Sequence, residues 1–151
     1  MKNNILSILA IICLYSVSHG QNLPMSQDSL AGSNHAGRNW WDLQHYSLAI
    51  TPNIKERTLT GTVTISYKVL SEGDKMMIDL QPPLKIYKVF SGNKRISYTN
   101  DGRFWWIAKD GKGKVGQLDE VTIFYEGTPR AAVKPPWDGG IDWNHDAQDR
   151  P

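Results

Sequence analysis

The chain has 151 residues, 40% hydrophobic and 21% charged, with a formal net charge of +2. That composition fits one globular domain and excludes a disordered polymer or a polytopic membrane protein. Lys and Arg number 17 against 15 Asp and Glu with no basic run, so no nucleic-acid partner is implied, and one cysteine excludes both a disulfide framework and a Cys-rich zinc module.

The first twenty residues read as an address. Lys2 precedes an apolar stretch from Ile5 to Val17, and Ser18 and Gly20 stand before Gln21 as small residues for a cleavage site. The stretch is shorter than the ~20 apolar residues a spanning helix needs, so residues 1–20 predict a secretory signal peptide, export to the periplasm or exterior, and no membrane span after its removal. Cys13 lies inside that stretch behind Ile12, not behind the small residue of a lipoprotein cut. Residues 21–38, rich in Ser, Asn, Gly and Gln, predict a flexible leader.

Period-two alternation dominates the rest. Tyr46, Leu48 and Ile50 predict a strand that ends at Thr51-Pro52-Asn53, with a hairpin to the next. Leu59, Gly61, Val63, Ile65, Tyr67 and Val69 share one face of a second strand, and Thr and Ser fill the other. Gly61 marks a bulge or a close backbone approach. Met76, Ile78 and Leu80 give a shorter strand before Pro82-Pro83. Leu84 and Ile86, then Tyr87 and Val89, carry a slip in alternation that suggests a bulge. Residues 95–98 pair back across a turn at Ser91-Gly92-Asn93, residues 104–107 form an aromatic strand, and Val121, Ile123 and Tyr125 mark the last one. No helical periodicity is evident after residue 20. The expectation is an all-β domain over residues 39–127, an antiparallel, meander-like order of seven or eight short strands.

Residues 128–151 form an irregular tail that holds Pro135, Pro136, Trp137, Gly139, Gly140 and Trp143. Loops beyond ~12–15 residues are uncommon in a compact domain, and tryptophans need a surface to pack on. Either the tail wraps over the sheet as a functional loop, or it leads toward a neighbour that this chain lacks, and the second reading is favoured.

No catalytic constellation is visible. The sequence contains no His-Glu-x-x-His, Gly-x-Ser-x-Gly, phosphate loop or dinucleotide fingerprint. His35, His45 and His145 are far apart, and no position is assigned as catalytic or metal-binding. Asp142, Asn144 and Asp146 have the alternate spacing that opens a calcium loop, but Ala147 replaces the required glycine and no closing Glu follows. Trp105 and Trp106 must point to opposite faces of a strand, and Trp40 and Trp41 invite the same reading. Exposed indoles of this kind leave open a stand-alone secreted β-sandwich module that binds carbohydrate or peptide.

The run Trp41-Asp42-Leu43-Gln44-His45-Tyr46-Ser47-Leu48-Ala49-Ile50, followed by Leu59-Thr60-Gly61-Thr62-Val63-Thr64-Ile65, resembles the opening of aminopeptidase N-type zinc metallopeptidases. Ile78-Asp79-Leu80, Leu84-Lys85-Ile86 and Val121 to Gly127 are similar to later strands of that family, and Pro135-Pro136-Trp137-Asp138-Gly139-Gly140 to a loop of its secreted bacterial members. The resemblance covers about residues 40–143. It implies a saddle-like N-terminal β-sandwich domain that packs on a thermolysin-like catalytic domain and walls its substrate cleft. The family's His-Glu-x-x-His zinc site and the segment that binds a peptide's amino terminus have no counterpart here, so no catalytic residue carries over. The implied reading is a truncated piece of an exported aminopeptidase, inactive alone, with no cofactor of its own and zinc in the parent. Its partners are the missing catalytic domain and, in the parent, a peptide substrate. Trp137, Asp138, Gly139, Gly140 and Trp143 are the candidate edge of the cleft, since adjacent glycines permit close approach of another backbone.

Overall fold

The computed structural model describes residues 27–109, 111 and 113–151. The expected signal peptide of residues 1–20, Cys13 and the start of the expected leader lie outside the described residues. Among those described, no helix is long and apolar enough to cross a membrane.

Among the described residues eight strands form two antiparallel sheets, as the alternation demands. Strands β1 (Trp41–Asn53), β2 (Thr58–Val69), β8 (Leu118–Gly127), β4 (Lys85–Ser91) and β5 (Lys94–Arg95) make the larger sheet in the order β1-β2-β8-β4-β5. Strands β3 (Lys75–Asp79), β7 (Phe104–Ala108) and β6 (Tyr98–Asp101) make the smaller one in the order β3-β7-β6. The expected meander is corrected here. The last strand, β8, inserts between β2 and β4, and residues 94–101 divide between the sheets instead of forming one return strand.

The core lies between the sheets. Leu59, Ile65, Tyr67 and Val69 of β2 bury their side chains together with Ile86, Val89, Val121, Ile123 and Tyr125, and Met76, Trp105 and Ile107 cover them from the smaller sheet. Thr64 and Thr122 hydrogen-bond on the opposite face of the larger sheet, their hydroxyls 2.9 Å apart. Trp40 sits at one end of the core, edge-on to Tyr67 with centroids 5.8 Å apart, and donates its indole N–H to the Lys75 carbonyl at 2.8 Å. Burial, aided by Asp119 beside it, pushes the Tyr67 hydroxyl far above its ordinary value.

Two register shifts adjust the larger sheet. The slip expected near residue 86 is a shift between Ile86 and Lys88 against β8. A second, between Leu43 and His45, leaves Gln44 unpaired, so that Trp41 and Leu43 before it share a face with Tyr46, Leu48 and Ile50 after it. Strand β1 ends at Asn53, within the expected Thr51-Pro52-Asn53 stop, and Pro52 still pairs opposite Leu59 because the missing N–H costs no ladder bond there. Gly61 is a close approach and no bulge, because a Cβ there would lie 2.2 Å from the Tyr125 ring.

The leader contains structure that its composition did not announce. Gln27–Gly32 forms a six-residue helix, α1, too short for periodicity to show. The Arg38 guanidinium donates to the Ala31 carbonyl at 2.9 Å, the Met77 amide donates to the Gly37 carbonyl at 2.9 Å, and His35 lies 5.8 Å from Trp106. This strap covers the outer side of the smaller sheet, where Met77 and Phe104 are buried. Burial, then the Arg38 charge, lowers the His35 pKa, in keeping with a ring whose Nδ1 accepts the Gly37 N–H at 3.1 Å.

Replacing Gly61 with alanine drives a methyl into the Tyr125 ring, and overpacking of this kind costs ~1–3 kcal/mol. Urea denaturation of the G61A chain should show that loss with an unchanged m-value, whereas wild-type stability would mean that Tyr125 moves aside freely.

Candidate functional site

The chain leaves β8 at Gly127, passes the buried Pro129, and folds residues 130–141 into a closed loop. The Ile141 amide donates to the Arg130 carbonyl at 2.8 Å and the Ala132 amide to the Ile141 carbonyl at 3.2 Å, closing a parallel bridge between Ala131 and Ile141. Ile141 packs against the core, and this anchors the loop's base. Gly140 has φ +145°, and a Cβ on it would sit 2.6 Å from the Ala132 nitrogen. Only glycine fits there. The backbone it approaches is the loop's own, and nothing lies within 4 Å of a Cβ at Gly139.

Asp138 holds the tip. Its two carboxylate oxygens accept the amide protons of Val133 and Lys134, each at 2.7 Å, while the Arg130 guanidinium stands 3.6 Å away. Those amide hydrogen bonds, with Arg130 a lesser contribution, hold the carboxyl below its ordinary value of 3.8. The Trp137 amide donates to the Lys134 carbonyl at 2.8 Å, and the turn throws the indole outward, 88% exposed. Trp143 lies elsewhere, half-buried in a recess of about 250 Å³ with Ile54, Lys55 and Arg57 of the β1–β2 turn. No ring contact joins it to Trp137. Of the five candidate residues, then, Trp137 is presented, Asp138 and Gly140 shape the presentation, Gly139 is open, and Trp143 serves the far end of the tail.

The other candidates have structural employment. Asp146 accepts hydrogen bonds from the amides of Gln148 and Arg150 at 2.9 Å and from the Arg150 Nε at 2.7 Å, so its carboxylate serves that turn and not a calcium loop. Asn144 donates to Asp142 at 2.6 Å. Among the described residues no group of three or more His, Cys, Asp or Glu side chains could hold a metal ion. Trp40 and Trp105 are core residues, and Trp41, Trp106 and Trp143 are half-buried, which leaves Trp137 as the one largely exposed indole among the described residues. A sugar-stacking platform would need more.

One feature escaped the sequence. A groove of about 260 Å³ opens at the mouth of the sandwich, where Tyr46 and Leu48 face Ile78 and Leu80 across Val63. Alternation marks Tyr46, Leu48 and Ile50 as core, yet they are 46%, 61% and 54% exposed because the three-stranded sheet stops short of β1. Nothing in the strand's own residues signals the length of the sheet opposite.

Because the Asp138 carboxyl has a depressed pKa in the folded loop, its contribution is complete above the ordinary value of 3.8 and is lost as pH falls through the lower folded value. Acidification through that lower folded value should therefore free the Val133 and Lys134 amides, and Asp138→Ala should do so at neutral pH. A lower protection factor at those two positions, taken against the intrinsic exchange rate at the same pH, with protection in β2 unchanged, is the expected result.

No protein-family model matches the sequence, and no curated protein matches it. Solved structures do. An M1 zinc metallopeptidase from Deinococcus radiodurans, as a mutant bound to a Tyr-Ser-Ala substrate, is 21% identical with a TM-score of 0.56, covering 66% of this chain and 23% of that one. The same enzyme without that mutation is 21% identical with a TM-score of 0.55, over 62% of this chain and 22% of its own. Leukotriene A4 hydrolase from Saccharomyces cerevisiae is 14% identical with a TM-score of 0.50, over 72% of this chain and 18% of that one. The chain thus spans about a quarter of the length of the first structures it matches. With two antiparallel sheets and little helix, its fold is that of M1 zinc metallopeptidases over this segment, consistent with their N-terminal β domain.

Proposed function

We propose that this chain is the non-catalytic N-terminal β domain of an exported zinc aminopeptidase, an enzyme that removes N-terminal amino acids from peptides. The observation that carries the proposal is the asymmetric match: two thirds of this chain superposes on less than a quarter of a peptidase. Among the described residues no three acidic, His or Cys side chains gather as zinc ligands would. Zinc belongs to the remainder of the parent, where it supplies a Lewis acid for the scissile carbonyl and for water.

This domain's share of the work is geometric. The sandwich gives a stiff wall, and the loop of residues 130–141 projects Trp137 from it on a base fixed by Ile141 and Asp138. A rigid aromatic at a cleft edge excludes water and contacts a partner at low entropic cost. The N-terminal pattern of Lys2 and the Ile5 to Val17 stretch supports export.

Purified chain supplied with zinc and an aminoacyl fluorogenic amide should show no turnover above buffer. The same chain joined to the catalytic portion of its parent should release the fluorophore, and a chelator should stop it. Chelator-sensitive turnover by the chain alone would overturn the non-catalytic assignment.

A further inference from the structure

His35 lies where the leader meets the smaller sheet, and its two ring nitrogens differ in their surroundings. Nδ1 accepts the Gly37 amide at 3.1 Å, so the neutral ring carries its proton on Nε2. Nε2 is buried and makes no hydrogen bond, and the ring lies tilted against Trp106 with centroids 5.8 Å apart. The Nδ1 contact sets the turn that delivers Gly37 to the sheet. A Cβ on Gly37 would stand 2.6 Å from the Trp106 ring and 2.8 Å from the Met77 Cβ, so this backbone is seated directly on β7 and β3. The Gly37 carbonyl then accepts the Met77 amide at 2.9 Å and the Trp41 indole N–H at 3.0 Å.

After Gly37 the chain is fixed without help from the imidazole. The Trp40 carbonyl accepts the Leu70 and Ser71 amides at 2.8 and 3.2 Å, and the Lys109 ammonium lies 4.4 Å from the Trp40 ring centroid. Before Gly37, His35 packs on the sheet through its ring, and the Arg38 guanidinium holds α1 through the Ala31 carbonyl.

We propose that residues 27–37 are a pH-sensitive strap, latched on the smaller sheet by the neutral His35 imidazole and released when that ring takes up a proton. A proton on Nδ1 sets two donors against each other where one hydrogen bond stood, and the Gly37 amide must turn away. The surrounding charges do not rescue the cation. By position parity Lys75 and Asp79 of β3 and Asp101 of β6 share the face of Met77 and Trp106, and Asp79 is held by Arg103 at 2.6 Å. Strand β7 has no ionisable residue, and α1 includes Asp28. The charge that bears on the ring is the Arg38 guanidinium, which opposes a second positive charge.

The direction of the switch follows from linkage. Released, the ring titrates at its ordinary 6.5. Latched, its pKa is lower, through burial first and Arg38 second, with the Leu30 carbonyl acting more weakly the other way. Closure is therefore complete well above 6.5, weakens as pH falls below 6.5, and levels off beneath the latched value. Mild acid opens the strap, bares the Met77 amide and uncovers Trp106. This device rests on contacts within the chain and is independent of the peptidase reading.

Hydrogen exchange followed by NMR on the full chain, from about pH 7.5 to about pH 5, reads the latch at the Gly37 and Met77 amides, with each protection factor taken against the intrinsic rate at the same pH. The His35 ring titration is recorded in the same samples. Protection at both amides should fall toward a loss of about tenfold for each unit by which the ring titrates below 6.5, while Ile65 and Ile123 keep theirs. His35→Asn offers Gly37 a side-chain oxygen that does not titrate, so protection in H35N should not vary with pH. Constant protection in the wild-type chain overturns the proposal, and so does an equal loss in H35N. If H35N is unprotected already at about pH 7.5, the wild-type chain decides alone: a loss that tracks the ring titration supports the latch, and one that does not overturns it. Neither outcome touches the peptidase-domain reading, whose test is turnover.

Discussion

Five strands facing three is the constraint from which the rest of the molecule follows. The inner faces of β2, β8 and β4 are roofed by β3, β7 and β6, and there the core is closed. The inner face of β1 extends past the roof. Three apolar side chains that the same alternation would bury in an equal-sided sandwich are left against solvent. The outer side of the smaller sheet is met by something that is not a strand, the Gly37 carbonyl on the Met77 amide and the His35 imidazole beside Trp106.

The tail shows how a segment without periodicity can still be specified. Its order comes from one inward apolar residue, Ile141, one carboxylate that accepts two amides, and one glycine whose φ no other residue adopts comfortably. Each is a local device, and together they carry a bare indole at a fixed place.

Much of this was legible in the residues. The Leu59-to-Val69 alternation places β2 and its buried face, the slip after Ile86 marks a real register shift, and the His45-Tyr46-Ser47-Leu48 run resembles the peptidase opening whose fold the structure shares. Less legible were the bulge at Gln44, since Trp41-Asp42-Leu43 alternates correctly by itself, and the small helix, which has too few turns to display a period. The candidate loop was found through its aromatic and glycine content, but the parts of Asp138 and Gly140 in shaping it come from contacts within the loop.

The sequence by itself determined the long strands β2 and β8, their inward faces and the antiparallel class, because side-chain direction in an extended chain depends on position parity and local turn chemistry. It could not determine that β8 lies between β2 and β4, or that one sheet would have fewer strands than the other. Those outcomes depend on which distant strands share the core, and hydrogen bonds between strands are alike wherever the pairing occurs. Only the packed structure, with Val121, Ile123 and Tyr125 seated between their neighbours, decides among the pairings.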